Sequence, residues 1–217
     1  MFDFSSGDTL TAPENVEPTA RERRAADIRE RILRSATTRV RENGVATLRA
    51  RDVAGDAGIA LGSIYKHFAD VDDLVMTVNS HTLALMNEAL EASVEGIADP
   101  AKQLEALALA YLNFAEAHPR LWSALFEYAM DRTDVLPQWY EDAQSHLFRL
   151  IDDPVAALAP QMDERSRAVR TRTVFSAAHG VVALALENRF AGVPRGALED
   201  EVTTVARGLV AGLKGAE

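Results

Sequence analysis

The sequence predicts an all-α protein. From Arg24 onward, apolar residues recur every three or four positions, which is the spacing that lines one face of a helix. No stretch alternates apolar and polar residues in the way that a half-buried strand does. The 47% hydrophobic content of the 217 residues is enough for one sizeable core or two small ones. We therefore expect about nine helices, separated by turns that glycine and proline mark.

The first twenty residues differ from the rest of the chain. They contain four acidic side chains, no Lys or Arg, two prolines and only scattered apolar residues. Such a composition cannot bury enough apolar surface to offset the entropy of ordering. Residues 1–20 are therefore expected to form a disordered arm.

Three helices are predicted after the arm, over residues 24–43, 49–57 and 61–68. Gly44 and Gly58 lie at the two junctions, where a backbone with positive φ ends a helix or reverses the chain tightly. The third helix is short. Its Ile64 and Phe68, four residues apart, point inward together. Its outward side chains are polar: Ser63, Tyr65, Lys66 and His67. A short polar helix after a tight turn is the helix-turn-helix pattern, which indicates DNA binding.

Two segments of this region resemble the DNA-binding domain of the TetR family of transcriptional regulators. They are Gly-Val-Ala-Thr-Leu-Arg-Ala-Arg-Asp-Val-Ala at residues 44–54 and Ala-Gly-Ile-Ala-Leu-Gly-Ser-Ile-Tyr-Lys-His-Phe at residues 57–68. The resemblance covers about residues 24–76 and implies a DNA-binding domain over residues 21–76, whose third helix enters the major groove of a double-stranded operator. It assigns DNA contacts to Arg49, Arg51, Gly62, Ser63, Tyr65, Lys66 and His67.

The chain departs from the family pattern at three positions. Val71 stands where the family commonly has a phosphate-binding Lys, so one electrostatic contact is expected to be missing. Ala50 and Ala60 stand where a Ser or Thr often caps a helix, and each lost cap costs about 1 kcal/mol. Asp52, in the first turn of the second helix, offsets part of that cost through the helix dipole.

The distribution of charge also separates the predicted DNA-binding domain from the rest of the chain. Residues 21–69 hold eleven basic and six acidic side chains, a net charge of +5, whereas the whole chain has a net charge of −10 and a pI near 5.0. Positive charge is therefore concentrated at the predicted DNA-binding domain, while the acidic remainder discourages indiscriminate binding. We expect DNA binding that is sequence-selective and salt-sensitive.

The rest of the chain keeps the helical period. Asp70 is expected to cap a fourth helix, with Asp73 as the acidic partner of a capping box. The fifth helix is expected to end at His118-Pro119, and the seventh to run from Pro137 to the Asp-Asp-Pro at 152–154. Together with the first three, this gives nine helices, of which the last six are predicted over residues 70–96, 101–117, 120–130, 137–152, 163–190 and 197–213.

Two later segments resemble a TetR ligand-binding subtype that is named for its Trp-His-Gly motif: His-Pro-Arg-Leu-Trp at 118–122 and Phe-Ser-Ala-Ala-His-Gly-Val-Val-Ala-Leu at 175–184. The resemblance implies that residues 77–217 form a ligand-binding and dimerisation domain, whose last two helices pair with a second subunit. Gly180 costs about 1 kcal/mol against Ala inside a helix, which fits a close approach of another backbone. That backbone is either a second subunit's or this subunit's own. Two DNA-binding domains related by a two-fold axis would contact two half-sites, which predicts a palindromic or near-palindromic operator.

Aromatic residues are abundant on the predicted helices five to eight. In the family such residues surround a cavity for a small molecule, and here they favour an apolar or aromatic effector whose binding tilts the fourth helix. Plain core packing is the alternative for each of them. His179 is either a polar anchor for the ligand or a histidine bonded to a neighbouring carbonyl. The candidates are Tyr111, Phe114, Trp122, Phe126, Met130, Trp139, Tyr140, Phe148, Phe175 and His179.

Other classes of protein lack support in the sequence. There is no Gly-x-Ser-x-Gly, no glycine-rich phosphate loop and no His-Glu-x-x-His, and the five histidines are scattered, so we expect no enzyme, metal or cofactor. Without cysteine, disulfides are excluded. No apolar run approaches the ~20 residues of a membrane span, and the N-terminus lacks signal-peptide features, so a cytoplasmic protein is expected. The sequence predicts a TetR-like regulator, and a repressor because most members of the family are repressors. The alternative is a DNA-binding protein of the same fold that needs no effector or responds to a protein partner.

Overall fold

The computed structural model of the chain describes residues 19–130, 137–186 and 192–214, with only the backbone given for residues 128–130. Most of the predicted arm, residues 1–18, lies outside these ranges. The first helix begins earlier than expected, at Ala20, because Thr19 caps it. The Glu22 backbone N–H donates to the Thr19 hydroxyl at 3.3 Å, and the Glu22 carboxylate accepts from the Thr19 backbone N–H at 2.7 Å. This reciprocal pair is a capping box.

The prediction of an all-α protein is confirmed, since the described residues form α-helices and two short 3₁₀ turns, Val45–Thr47 and Arg195–Ala197. The helices are α1 Ala20–Asn43, α2 Ala50–Asp56, α3 Leu61–Ile64, α4 Val71–Val94, α5 Pro100–Ala117, α6 Pro119–Met130, α7 Gln138–Leu158, α8 Glu164–Leu186 and α9 Leu198–Lys214. None of the helices in the described ranges has the length and apolar character that crossing a bilayer needs.

Two hydrophobic cores divide the molecule. The smaller core lies among α1, α2, α3 and the start of α4, and we call this part the head. The larger core lies among α4 to α9, and we call this part the body. Two helices take part in both cores. The first two turns of α4 pack mainly in the head and the later turns in the body, while α6 sends Leu121 and Ala124 into the head core and Trp122 and Leu125 into the body core.

The third helix is shorter than predicted. Only Leu61–Ile64 is α-helical, and residues 65–67 continue as a turn in which His67 N–H and Phe68 N–H both donate to the Ile64 carbonyl, at 2.9 and 3.0 Å. No side chain caps the helix at Ala60. The missing cap and the start of α4 only a few residues later leave room for little more than one turn. Asp70 does cap α4 as expected, accepting from the Asp73 N–H at 2.7 Å.

The expected end of the seventh helix at Pro154 is wrong, because α7 continues through Pro154 to Leu158. A proline inside a helix costs about 3 kcal/mol or more. That cost is offset by burial, since Val155 and Ala159 are 0% and 1% exposed, and by contacts to α8. Asp152 accepts from the Arg167 guanidinium at 3.1 Å and from the Thr171 hydroxyl at 2.8 Å. Tertiary packing therefore carries the helix past its local stop signal.

Candidate nucleic-acid interface and effector cavity

The outward surface of α3 and its following turn is the candidate nucleic-acid interface. Gly58, with φ of +63°, turns the chain between α2 and α3, and Ile64 and Phe68 anchor the segment in the head core at 0% and 2% exposure. Tyr65 is 51% exposed and Lys66 is also exposed, whereas Ser63 and His67 are half-buried. The structure therefore presents hydroxyl, phenol, ammonium and imidazole groups beside one another. Gly62 is exposed, with no other atom within 4 Å of the place where a Cβ would be.

The two arginines assigned to DNA contact differ in their surroundings. Arg51 is exposed on α2. Arg49 is also exposed, but its Nη1 donates to the carbonyls of Ala46 and Leu48 at 3.1 and 3.0 Å. Arg49 therefore orders the 3₁₀ turn that leads into α2. DNA contact by either arginine stays a prediction.

Three other arginines, all on α1, hold the head together, and sequence reasoning did not single them out. The Arg29 guanidinium lies 4.5 Å from the centroid of the Phe68 ring, behind the exposed surface of α3. Arg31 donates through Nη2 to the Ala57 carbonyl at the turn. Arg39 donates to both carboxylate oxygens of Asp56, at 2.5 and 3.0 Å, and this bond holds the pKa of Asp56 below its usual range. No local signal marks these contacts, because the partners are 17 to 39 residues apart along the chain.

Val71, where the family commonly has a lysine, has a structural role here. It is half-buried and packs against the head core at the first position of α4. The apolar side chain therefore takes part in joining α4 to the head, at a place where a lysine would extend toward solvent.

The body contains a small apolar cavity of about 40 Å³ among α4, α5, α7 and α8. Two of the predicted ligand-binding residues, Tyr111 and Phe175, line it. Sequence reasoning missed its other walls, because aliphatic side chains at helical spacing look the same around a cavity as in a solid core. They are Leu90, Leu104, Leu107, Ala108, Leu147, Leu150, Ile151, Val174 and Ala178.

A hydrogen-bonded chain of three side chains lies beside this cavity. The indole N–H of Trp122 donates to the Tyr111 hydroxyl at 2.9 Å, and the Tyr111 hydroxyl lies 2.8 Å from Nδ1 of His179. Because the Tyr111 oxygen accepts from the indole, its own proton is available for the imidazole. Trp122 and Tyr111 are 2% and 4% exposed, and burial raises the pKa of Tyr111, which keeps its hydroxyl protonated. His179 is thus hydrogen-bonded to a phenol, a partner that the sequence analysis did not predict.

Aromatic rings surround His179. Its imidazole lies 4.2 Å from the Phe126 ring and 5.4 Å from the Trp122 ring, and it stacks on Phe175 at 5.6 Å with an interplanar angle of 19°. Phe148 meets Phe175 edge to face at 5.4 Å. The structure therefore brings six of the ten predicted ligand-binding residues into one cluster: Tyr111, Trp122, Phe126, Phe148, Phe175 and His179. We call these residues the ring cluster.

The remaining four candidates are not in the ring cluster. Phe114 is buried and contacts His118, with ring centroids 4.9 Å apart. Tyr140 is 1% exposed, and Trp139, which is 43% exposed, packs against it at 5.7 Å. The side chain of Met130 lies outside the described residues. Phe114, Trp139 and Tyr140 are not among the residues that line the cavity, so core packing describes Phe114 and Tyr140 better. Within the described ranges, no three His, Asp or Glu side chains are grouped so that they could hold a metal ion.

One face of α8 and α9 is not covered by any residue that the structure describes in this protomer. A Cβ placed on Gly180, Gly208 or Gly212 would have none of the described atoms within 4 Å outside its own helix, so no tight contact with the described part of the subunit explains Gly180. On the same side of α8 as Gly180, Val169 and Leu184 are 61% and 48% exposed. The absence of close neighbours on this face is what a surface for another chain requires.

Comparison with known proteins agrees with this architecture. Residues 104–209 match the family model described as "Tetracyclin repressor-like, C-terminal domain". Among solved structures, a protein of unknown function from Rhodococcus sp. RHA1 has a TM-score of 0.71 at 23% identity, over 93% of this chain and 99% of that chain. The regulator FadR from Bacillus subtilis, in complex with stearoyl-CoA, has a TM-score of 0.65 at 15% identity, over 84% of this chain and 98% of that chain.

The TetR family transcriptional regulator PfmR from Thermus thermophilus has a TM-score of 0.55 at 19% identity, over 86% of this chain and 99% of that chain. These likenesses concern the fold, whereas the family model concerns the sequence of the body. The Trp-His-Gly subtype stays a prediction. Residues 104–209 therefore carry the TetR-like C-terminal domain, and the chain as a whole has the fold of the TetR family of transcriptional regulators, which are DNA-binding proteins and not enzymes.

Proposed function

We propose that the chain is a dimeric repressor that binds a palindromic or near-palindromic operator through α3 and is released from it by a small effector. The observation that carries the proposal is the outward surface of α3, where Tyr65 and Lys66 are exposed while Ile64 and Phe68 fix the segment in the head core. A rigidly held polar surface one helix wide fits the major groove of B-DNA. The net charge of +5 over residues 21–69 supports the attraction to phosphate.

The uncovered face of α8 and α9 supports dimerisation through these two helices. Gly180 on α8 and Gly208 and Gly212 on α9 let another backbone approach closely, and Val169 and Leu184 supply apolar area beside them. A two-fold axis through this face would pair the same surface on both subunits. Two heads on one dimer then read two half-sites, which explains why a recognition helix of barely more than one turn would be selective.

The size of the cavity supports coupling between effector and operator. At about 40 Å³ it is far smaller than the ~300–1,000 Å³ of ordinary ligand pockets, so an effector enters only by displacing the side chains around it. Tyr111 and Phe175 line the cavity and contact Trp122 and His179 of the ring cluster. Displacement would therefore reach α6, on which Trp122 and Phe126 lie.

From α6 the displacement has a short path to the head. Leu121 and Ala124 of α6 pack in the head core at 2% and 0% exposure, and the Ala124 carbonyl accepts from the Asn79 side chain of α4 at 3.0 Å. A shift of α6 would thus move α4 and the head together and change the separation of the two reading heads. The effector would favour the state that does not fit the operator, by its difference in affinity for the two states.

The effector is expected to be apolar or aromatic, since the cavity walls are aliphatic and aromatic. The FadR structure, which holds stearoyl-CoA, supports the view that this fold can bind a ligand with a long hydrocarbon chain. The same small volume favours a second candidate function, a DNA-binding protein that needs no effector or answers to a protein partner, because the ring cluster occupies much of the space that a ligand would take.

Selection from a random pool of double-stranded oligonucleotides tests the proposal. The full chain should enrich a sequence with dyad symmetry, and the double variant Tyr65→Ala/Lys66→Ala should lose that enrichment. Lys102→Ala is the matched control, since Lys102 is an exposed lysine on α5 and its loss should leave selection intact. Circular dichroism would establish that each variant is folded. Undiminished selection by the double variant, or none by the unchanged protein, would refute the proposal.

A further inference from the structure

We propose that the effector is an amphipathic anion, with an apolar tail in the cavity and a carboxylate head in an adjoining basic groove between α7 and α8. The inference rests on the proposed function, since it names the chemical class of the effector. The groove has a volume of about 260 Å³ and is lined by Phe148, Arg149, Asp152, Arg167 and Arg172 among others. None of its lining residues is among those assigned above to DNA binding or to the dimer face.

Some charged side chains of the groove form ion pairs with one another, and others do not. Arg167 donates to Asp152 at 3.1 Å, and Asp152 also accepts from Thr171, so this acid and this base neutralise each other. Arg149 and Arg172 have no carboxylate within 4 Å in the part of the chain that the structure describes. The remaining acid, Glu164, lies eight residues before Arg172 on α8, which is about 12 Å along the helix axis. Two cationic side chains of the groove are therefore available, and the Arg172 guanidinium lies near Phe148.

The known contacts of these two arginines leave donors unused. One nitrogen of Arg149 donates to Nδ1 of His146 at 3.1 Å, while Nε2 of His146 lies 2.5 Å from the Glu91 carboxylate. Arg172 donates to the Ala168 carbonyl of its own helix at 3.3 Å, and its guanidinium lies 5.9 Å from the Phe148 ring. A guanidinium has five N–H donors, so each arginine retains enough to bind a carboxylate.

Two aromatic rings in contact with each other connect the wall of the groove to the wall of the cavity. Phe148 lines the groove, Phe175 lines the cavity, and their centroids are 5.4 Å apart in an edge-to-face contact. On α7, Leu147 faces the cavity while Phe148 and Arg149 border the groove, and on α8 the corresponding neighbours are Phe175 and Arg172. A ligand with its tail among the aliphatic walls would thus bring its head to Arg149 and Arg172 after parting this ring pair. A carboxylate attached to a hydrocarbon chain matches both halves.

Titration calorimetry with decanoate and its neutral counterpart 1-decanol tests the inference on the full chain. Decanoate should bind the unchanged protein at least 10-fold more tightly than 1-decanol, since a charge-assisted hydrogen bond corresponds to roughly a 10- to 100-fold change in affinity. The double variant Arg149→Gln/Arg172→Gln should lose that preference while binding 1-decanol unchanged. Arg170→Gln is the matched control, because it removes the same charge from an exposed position of α8 that does not line the groove.

Three results would overturn the inference: no binding of decanoate, equal binding of the two probes by the unchanged protein, or a preference that survives in the double variant. Thermal unfolding of each variant shows whether a loss reflects misfolding. Operator selection by the same preparations separates the two proposals. If the unchanged protein selects an operator but shows no preference for decanoate, this inference alone fails, whereas failure of the selection itself counts against the proposed function.

Discussion

The hydroxyl of Tyr111 lies 2.8 Å from Nδ1 of His179, so that one polar pair joins α5 to α8 inside an apolar core. The same hydroxyl accepts from the buried indole N–H of Trp122 on α6. Three helices of the body are thereby tied through a single oxygen atom. Because α6 also reaches the head core through Leu121 and Ala124, this atom lies on the proposed path between cavity and DNA.

Replacing Tyr111 by Phe should lower the free energy of unfolding by roughly 1–3 kcal/mol, the cost of leaving a buried donor without a partner. The Trp122 indole, 2% exposed, would lose its acceptor, and His179 would lose a donor. Urea unfolding at matched protein concentration measures the change. Tyr65→Phe, at a position 51% exposed, is the control and should leave the unfolding midpoint unaltered. Equal midpoints for Tyr111→Phe and the unchanged protein would show that the chain of hydrogen bonds contributes no stability.

Gly180→Glu should abolish the dimer and leave the subunit folded. Among the described residues the new Cβ meets open space, and removing a glycine from a helix interior stabilises the helix by up to about 1 kcal/mol. Across a dimer seam, the same change places a bulky charge where two backbones approach closely. Light scattering should give about 47 kDa for the unchanged protein, twice the chain mass of 23.6 kDa, and a single chain mass for the variant.

The control for the dimer face is Ala92→Glu, which adds the same charge at an exposed position of α4 and should keep the larger mass. A variant at Gly180 that remains at about 47 kDa, twice the chain mass, would place the seam elsewhere. A variant that loses helical circular dichroism would instead show that Gly180 is needed within the subunit, contrary to the open space around it.

Much of the fold follows from signals within a few residues of one another. Asp70 predicts the start of α4 and caps it by accepting from the Asp73 N–H, whereas the Asp73 carboxylate accepts from the Ala69 N–H and not from the Asp70 N–H that a capping box would use. Pro137 predicts the opening of α7, and it stands there as the N-cap residue. Pro154 misleads, because its local effect is outweighed by the burial of Val155 and Ala159, which only the assembled body provides. Tertiary burial therefore overrides the local stop signal at Pro154, whereas at His118-Pro119 the local signal does end α5.

The candidate sites divide in the same way. The residues that form the surface of α3 are adjacent in the sequence. The sequence therefore predicts correctly that Ile64 points inward and that Tyr65 and Lys66 point outward. The ring cluster is not local, since Tyr111 and His179 are 68 residues apart. Aromatic residues lie on each of α5, α6, α7 and α8, so nothing short of the fold separates Phe175 at the cavity from Phe114 in the core.

Stability should fall in acid partly because of Glu105, whose carboxylate joins α5 to Arg207 of α9 at 3.1 Å. The hydrogen bond from Arg207 lowers the pKa of Glu105 below its ordinary value of 4.5. A carboxylate with a lowered pKa in the folded state stabilises the fold above its unfolded-state pKa, and this contribution is lost as pH falls through the folded-state pKa. Glu105→Gln should therefore be less stable than the unchanged protein at pH 7, by about 1 kcal/mol or less for a solvent-screened pair.

Urea unfolding of Glu105→Gln and of the unchanged protein at several pH values checks this expectation. The difference between them should shrink as pH drops below 4.5 and vanish once Glu105 is protonated in both states. Glu116→Gln is the control, because Glu116 is an exposed acid on the same helix and should show no such pH-dependent difference. A gap for Glu105→Gln that stays constant down to about pH 3 would mean that the ion pair adds nothing to folding.

Lys66→Ala should weaken the salt dependence of operator binding. An ammonium group is a compact charge suited to a phosphate oxygen, and Lys66 is exposed beside Tyr65 on the surface that would face DNA. Each phosphate contact that is lost reduces the slope of log affinity against log salt by roughly 0.9. Fluorescence anisotropy with the selected operator, from about 50 to 200 mM salt, measures the slope, and Lys102→Ala on α5 should leave it unchanged. If the slope for Lys66→Ala equals that of the unchanged protein while affinity for the operator alone drops, Lys66 reads a base edge and the phosphate contacts lie elsewhere on the head.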